Sequence, residues 1–445
     1  MSDEPLAGEP PDGTLGFVHV DMDAFFAACE LLRHPELRNA PLVVGGTGDR
    51  GVVAAASYVA RSYGIRSAMA TAQARRLCPH AVFIPGDHAY YAEVSGRIMG
   101  HFREVTPLVE PLSLDEAFLD VRGALKSQGS ASEIAERLRQ VIFDREGLTC
   151  SVGVAANKFL AKLATERAKP TPTATGPVFG SGVCVVEPGT ELDFLAPMSV
   201  RALWGVGPAT DRKLSGMGIE TVADLRAQPA ARLSRSLGTS LGAHLYALAH
   251  AQDDRPVVAN LAAKSIGHEE TFRQDLVDGE TLRRELVRMV DAVASRLHRA
   301  DTAGRTVTVK VRFTSFATVT RSQTLTEATA SAHAIRQVAE RLLDELDTSQ
   351  GVRLLGVSVS QLGRAPARQL SLDDVGRRSW EDADAIVEEI RDRFGSDAIG
   401  PAALANADGR LDRKVAGQRA WGPDEGSSSS SVGRPDREAG TDNTP

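Results

Sequence analysis

The sequence is poor in aromatic residues, which make up 5% of its 445 positions. A platform on which successive unpaired bases stack is therefore not expected. Cysteine is scarce and scattered, at Cys29, Cys78, Cys150 and Cys184. That spacing offers neither a zinc site nor a disulfide framework, so the expectation is four small core residues in a reducing cytoplasm. Long hydrophobic runs are absent, and no stretch is long enough to span a bilayer. The opening residues, MSDEPLAGEPPDG, are acidic and rich in Pro and Gly rather than apolar, unlike a secretion signal. Positive charge is also lacking overall, with a formal net charge of −7. Taken alone, that sum argues against nucleic acid. Yet it hides local patches, and much of the acid sits near the C-terminus, as in SWEDADAIVEEIRD.

What is present is ordinary for a globular chain, 42% apolar and 24% charged residues. The length exceeds what a single core serves, so several domains are expected. Residues 1–14 read as a disordered lead. FVHV reads as a short buried strand and AFFAACELL as the helix after it. PLVVGG and GVVAAAS are further apolar runs, and YVARSYG turns helical. In LVEPLSLDEAFLDV, two apolar runs flank Ser113 to Glu116, the pattern of a β-hairpin. ASEIAERLRQVIFDREG has helical spacing, TCSVGVA is a strand, and NKFLAKLATERA is a helix that stops before Pro170. Strands and helices alternate, which predicts an α/β or α+β first part.

PTPTATGPVFGSG reads as a link. A small helical region follows over 190–250, with two helices flanking a tight Gly205-Val206-Gly207 hairpin, and 251–263 reads as a linker. Residues 264–364 have the order β-α-β-β-α-β, one sheet with helices on one side. Within it TVTVKVRF alternates, with Val307, Val309, Val311 and Phe313 on one face and Thr306, Thr308, Lys310 and Arg312 on the other. The chain ends in a low-complexity stretch, GPDEGSSSSSVGRPDREAGTDNTP, expected to be disordered.

Two segments end apolar strands in carboxylates: VDMDAFF with Asp21 and Asp23, and SLDEAFLD with Asp115 and Glu116. A lone acidic pair at a strand end is ordinarily a solvated turn. If the two strands are neighbours in one sheet, however, the carboxylates converge, and like charges that close need a cation between them. Hard Mg²⁺ binds through a few carboxylates and completes its shell with water and phosphate oxygens. Two such ions suit an in-line phosphoryl displacement. That chemistry also needs cations on a triphosphate. Tyr58 and Arg61, at i and i+3 on one helix face, and Lys169 after its helix, are candidates, although each also reads as a solvated surface residue.

VHVDMDAFFAACE, VVAAASYVARSYGIRSAM, EPLSLDEAFLDV, SVGVAANKFLAKLATERAKP and LWGVGPATDRKL together resemble the Y-family DNA polymerases of the DinB, or DNA polymerase IV, type. The similarity runs over nearly all of residues 15–375. It implies an α+β multidomain right-hand fold with palm (15–24 and 90–179), fingers (25–89), helix-hairpin-helix thumb (180–250), linker (251–263) and a β-α-β-β-α-β little finger (264–364). Residues 365–445 would be a clamp-binding peptide and a largely disordered tail.

The activity implied is low-fidelity translesion synthesis, adding dNMP to a primer 3′ end on a DNA template with two Mg²⁺ ions. The resemblance makes Asp21, Asp115, Glu116 and the backbone carbonyl of Met22 metal ligands, with the three acids as catalytic residues. Tyr58, Arg61 and Lys169 become triphosphate contacts, and Phe26 a steric gate against ribose. Asp23 is taken as structural, Ser113 as a shaping residue, and the small residues 54–57 and 67–70 as an open roof over the new base pair. The sequence departs from the family after Lys169-Pro170, where Asn-Gly is usual.

Gly205 and Gly207 would bring backbone amides to a DNA phosphate, and Lys310 and Arg312 would add backbone contacts. Gln369, Leu370 and Leu372 resemble the short peptide with which bacterial polymerases bind the sliding clamp. Primer-template DNA, dNTP and that clamp are the implied partners of a monomeric, cytoplasmic, membrane-free enzyme. A non-catalytic scaffold of the same family would have no chemical need for all three acids and the gate. A two-metal nuclease or cyclase would leave the helix-hairpin-helix and the clamp-like peptide unexplained.

Overall fold

In the computed structural model, the described residues are 15–260, 262–363, 375–395, 397–405 and 411. The expected lead at 1–14, the clamp-like peptide at 369–372 and the low-complexity end lie outside them. Among the described residues no helix is long and apolar enough to cross a membrane.

The chain opens with β1 (Phe17–Met22) and α1 (Phe25–Arg33), then β2 (Leu42–Gly45), β3 (Val53–Ala56), α2 (Tyr58–Ser62), α3 (Thr71–Leu77) and β4 (Val82–Ile84). It continues through α4 (His88–Val105), β5 (Val109–Pro111), β6 (Glu116–Asp120), α5 (Leu125–Gln128), α6 (Ala131–Glu146), β7 (Cys150–Ala155) and α7 (Lys158–Ala168). A small ladder of β8 (Thr171–Thr173) and β9 (Gly176–Val178) leads to β10 (Val183–Val185).

The first sheet has the order β10-β7-β1-β6-β5. β1 lies at its centre, antiparallel to both β6 and β7. Helices cover it, which is why the strand is almost entirely buried instead of alternating. α7 lies so close to β7 that a Cβ on Gly153 would collide with the Ala161 carbonyl and the Thr165 amide. β3, β2 and β4 form a separate three-stranded sheet beside α2 and α3.

Five short helices follow, α8 (Glu191–Leu195), α9 (Pro208–Ser215), α10 (Val222–Arg226), α11 (Ala230–Leu237) and α12 (Thr239–Ala249). They share a core with the outer face of α7. The segment after them is fastened to the first sheet. Lys158 donates to both oxygens of Glu110 at 2.8 and 2.6 Å and to the Pro256 carbonyl at 3.1 Å, and Asp253 accepts from the Phe159 amide.

The last unit is a sheet of order β11-β14-β12-β13, formed by β11 (Ser265–Leu276), β12 (Ala303–Phe313), β13 (Thr318–Thr329) and β14 (Val352–Gly363). α13 (Gly279–Arg299) and α14 (Ala332–Asp344) supply the apolar partners of its inner face. The alternation read in TVTVKVRF is realised: Val307, Val309, Val311 and Phe313 are buried. This unit touches the three-stranded one where Arg50 Nη1 donates to the Phe272 carbonyl at 3.0 Å and to Asp275 Oδ1 at 2.5 Å.

Several expectations are corrected. The Pro-rich link contains the β8–β9 ladder, which packs against α2. β10 pairs in parallel with β7, so the boundary expected at 180 falls one strand early. The helix expected before Gly205 is one 3-10 turn, Val200–Ala202, because Gly205 at φ 94° breaks the segment there. The tail expected to be largely disordered contains α15 (Val375–Phe394). It is held by Asp384 accepting from the Ala332 amide at 3.0 Å, and by Arg391 donating to Asp291 at 2.8 Å. A buried Arg391–Asp291 pair needs this docking, since neither charge tolerates burial alone.

Candidate active site

Strand register sets the floor of the cleft. Asp21 in β1 stands opposite Glu116, the first residue of β6. The Met22 amide donates to the Asp115 carbonyl at 2.9 Å, which fixes the turn that carries both acids. Ser113 Oγ donates to Asp115 Oδ1 at 2.6 Å and shapes the same turn. Above this floor is a cavity of about 280 Å³. Its lining brings together Asp21, Met22, Phe26, Tyr58, Arg61, Asp115 and Lys169, seven residues that the sequence had singled out. Ala54, Ala55 and Ser67 form its small-residue side. Lys169 thus reaches the cleft despite the altered sequence after it.

Glu116 lies beside the cavity rather than in its lining. Its Oε2 accepts a short hydrogen bond from Lys162 and lies 3.3 Å from His19 Nε2. Asp21 Oδ2 accepts from Lys169 Nζ at 3.0 Å. The acids therefore converge through the backbone, while their side chains part towards different lysines. Among the described residues no three acidic, His or Cys side chains are gathered closely enough to cage a metal as they stand. Each acid is instead turned to its own partner: Asp21 to Lys169, Glu116 to Lys162, and Asp115 to Ser113.

Burial pushes the Asp21 carboxyl up to about 6, and the Lys169 ammonium beside it only partly offsets that. Burial also opposes ionisation of Glu116. Hydrogen bonds from His19 and Lys162 override it and carry the carboxyl down to about 2. The donors are hard oxygens at adjacent strand ends. That chemistry fits a hard divalent ion.

The walls are braced. Tyr58 is buried, its hydroxyl donates to Asp23 Oδ1 at 3.2 Å, and Ser151 Oγ donates to the same oxygen at 2.8 Å. Burial first, then the Asp23 charge, pushes the Tyr58 phenol up, so it stays a donor. Arg61 lies over the Tyr58 ring at 4.9 Å and donates from Nε to the Ala56 carbonyl. Ser57 caps α2 at the Ala60 amide and fixes the face carrying both side chains. Phe26 stacks on Tyr91 at 4.4 Å between centroids, with planes 15° apart. The Tyr91 hydroxyl is anchored on Glu30 at 2.6 Å. Phe25 is buried in the core.

Gly205 and Gly207 stand away from this cleft, Gly207 as the N-cap of α9. Lys310 and Arg312 lie on the far sheet, where Lys310 donates to Glu269 at 2.7 Å and Arg312 to Thr318 at 2.9 Å.

Sequence reasoning missed His19, Lys162 and Tyr91. The signal available was Lys158 and Lys162 at i and i+4 among the apolar residues that open the helix, a place where lysines have acids to meet. His19 is fully buried, and that burial lowers its pKa to about 4 from an ordinary 6.5. Between those values the unfolded chain binds the extra proton, so stability falls as pH drops through this window. Asp21, raised to about 6 from 3.8, works in the opposite direction over the lower part of this window, so the readout is the difference between two profiles: in chemical denaturation in EDTA, wild type should lose stability relative to His19→Gln as pH falls from 6.5 to about 4. An unchanged slope would exclude His19 as its source.

Residues 20–166 match the impB/mucB/samB family, 263–372 that family's C-terminal domain, and 201–253 a thumb domain described for DNA polymerase-iota. A protein named DNA polymerase IV from Desulfatibacillum aliphaticivorans is 42% identical over 391 residues, covering 87% of this chain and 96% of its own. Another of that name from Streptomyces coelicolor is 45% identical over 369 residues, covering 82% and 75%. Among solved structures, a Y-family polymerase chimera, Dbh-Dpo4(243-245)-Dbh, aligns with a TM-score of 0.69 at 27% identity over 78% of this chain and 98% of its own. A structure titled "Insertion ternary complex of Dbh DNA polymerase" aligns at 0.55 and 28% identity, over 77% and 98%.

Proposed function

The chain belongs to the Y-family DNA polymerases of the DNA polymerase IV type, within the impB/mucB/samB family, and from that membership we propose how its cleft works. It is a DNA-directed DNA polymerase of the translesion class. The fold has that family's palm, thumb and little finger. Enzymes of this kind generally use divalent metal ions.

The finer reading concerns residues. Asp21, Asp115, Glu116 and the Met22 carbonyl hold two Mg²⁺ ions, which when bound stabilise the attacking and leaving oxygens of the displacement. Tyr58 and Arg61 on α2, with Lys169 from beside Asp21, orient the triphosphate, so the reacting phosphorus meets the primer hydroxyl in line. Asp23 holds Tyr58 in place for that work. Small residues at Ala54, Ala55 and Ser67 leave the new base pair loosely gripped, which admits damaged templates because shape contributes less discrimination. The observation that supports this reading best is the ladder pairing of Asp21 with Glu116 at the edge of a cavity lined by Asp21, Asp115, Arg61 and Lys169. Primer extension with Mg²⁺ and single dNTPs tests it. Only the dNTP complementary to the template base should be added efficiently, and addition should stop with EDTA.

Relatives titled as ternary complexes support a primer-template and an incoming dNTP as occupants. DNA would be gripped through phosphates, by the amides around Gly205 and Gly207 and by the open sheet face with Lys310 and Arg312. Binding should then ignore sequence and weaken by roughly 10²-fold or more between about 50 and 200 mM salt, as counterions are released. A salt-independent affinity in fluorescence anisotropy would count against these contacts.

A cytoplasmic monomer tethered to the sliding clamp completes the reading. Gln369, Leu370 and Leu372 would supply the tether, which raises effective concentration without touching the chemistry. Changing all three to Ala should leave synthesis on short oligonucleotides unaltered and remove stimulation by the clamp on long templates. Surviving stimulation would move the tether elsewhere.

A further inference from the structure

α7 carries three lysines, each resting on an acid of a different strand. Lys158 meets Glu110 of β5, Lys162 meets Glu116 of β6, and Lys169 at the helix C-cap meets Asp21 of β1. The first pair is almost fully buried and also holds the Pro256 carbonyl, so it is a structural bolt. The other two differ. Their lysine side chains are each about a quarter exposed, and they sit on the acids read above as metal ligands.

We propose that Lys162 and Lys169 are resident counter-ions of the acid cluster, displaced in function when a nucleotide arrives with its metal. The proposal rests on the metal-ligand reading of Asp21 and Glu116. Without a cation, two facing carboxylates at adjacent strand ends would repel each other, and each lysine cancels one of them. Both nitrogen contacts on Glu116 fall on Oε2, from Lys162 and from His19, and Oε1 takes neither. His19 is itself fixed, with its Nδ1 3.0 Å from Thr165 Oγ1 on α7. Glu116 is thus kept ionised and oriented, but its charge is already answered. A divalent ion arriving alone meets acids partly neutralised and two ammonium groups that repel it. A nucleotide changes the balance. Lys169 is already shared between Asp21 and Glu166, which accepts from it at 2.5 Å, and a triphosphate adds a more highly charged anion with further oxygen ligands, so Lys169 can exchange Asp21 for phosphate. Lys162 is therefore a positioning residue that makes metal loading depend on nucleotide.

The test measures metal affinity in the full-length protein, using Mn²⁺ as the probe and its electron paramagnetic resonance signal to count free ion. Lys162→Met should bind Mn²⁺ about tenfold more tightly than wild type when no nucleotide is present, because a nearby positive charge has been removed. With a non-hydrolysable dNTP analogue and a dideoxy-terminated primer the difference should shrink. Lys162→Gln, which keeps an N–H donor but not the charge, should behave like Met, and Lys162→Arg like wild type. In EDTA, Lys162→Met should melt below wild type and recover when Mn²⁺ is added. A variant that folds only with Mn²⁺ is the same result in stronger form. Equal or weaker Mn²⁺ binding by both neutral variants overturns the proposal, and so does a Met variant that stays unfolded with Mn²⁺ present. Failure of the metal-ligand reading is a separate outcome, seen as Mn²⁺ affinity and nucleotide transfer both unaffected in Glu116→Ala.

Discussion

Asp115→Ala and Glu116→Ala should each lose nucleotide transfer by about 10³-fold or more, while primer-template affinity and the far-ultraviolet dichroism stay near wild type. The two acids act at different points. Asp115 lines the cavity and accepts from Ser113, so its removal empties one edge of the ligand set without disturbing a buried group. Glu116 sits on the ladder opposite Asp21 and anchors Lys162 and His19. Its removal leaves Lys162 without a partner, but that side chain is partly exposed and can turn to water, so the stability loss should stay near 1–2 kcal/mol. DNA is gripped elsewhere, by the thumb and little finger on this reading, and its binding should survive. Near-normal extension by either variant would show that the acids are ordinary strand-end carboxylates.

Part of this arrangement was legible in the sequence, for physical reasons that differ from place to place. The little-finger strand at 303–313 was readable because one face packs on helices and the other does not, and that asymmetry prints a period of two. β1 was readable as buried for the opposite reason: it is central, so its apolar run is unbroken up to Asp21. That Asp21 and Glu116 end up opposite each other was conditional in the sequence, since register depends on a partner nearly a hundred residues away. The roles of Phe26, Tyr58 and Arg61 came from family resemblance, because an aromatic or arginine on a short helix carries no label of its own.

Where reading failed, local composition pointed one way and tertiary contact the other. Thr171 to Val178 looks like a link because Pro and Gly suppress the strand signal, yet α2 offers the pair of short strands a surface. DADAIVEEIRDRFG, within α15, reads as helix-like and able to pack locally, but its high charge does not say against what, and the tail around it reads as disordered. The charges of α15 face those of α13, with Arg391 on Asp291 and Glu388 accepting from Ser295. Lys162 had the same ambiguity. A lysine in a helix is ordinarily at the surface, and only the packing of α7 against β7 and β1 turns it towards Glu116.

Phe26→Leu should keep the polymerase folded and active with dNTPs but admit rNTPs far more readily, by roughly 10²-fold or more in the ratio of kcat/KM values. Phe26 lines the cavity five residues beyond Asp21 and on the proposed reading faces the sugar of a metal-bound nucleotide. Its position is not left to chance. Tyr91 stacks flat against it, His88 meets it edge-on at 5.5 Å, and the Tyr91 hydroxyl is tied to Glu30. A rigid ring excludes a 2′-hydroxyl better than a mobile one, because the excluded volume cannot swing aside. The support therefore predicts a graded series. Tyr91→Leu keeps the Phe26 ring but loosens its backing, and should relax sugar selection less than Phe26→Leu does. The contrast with Phe25 separates gate from core. Phe25 is 2% exposed within the palm core, and Phe25→Ala should cost about 3–5 kcal/mol of stability, read as a lower denaturation midpoint. Phe26 is only partly buried against that core, so its truncation should cost much less. A folded Phe26→Leu enzyme with wild-type discrimination between dNTP and rNTP would reassign the ring to packing and leave sugar selection to another wall of the cleft.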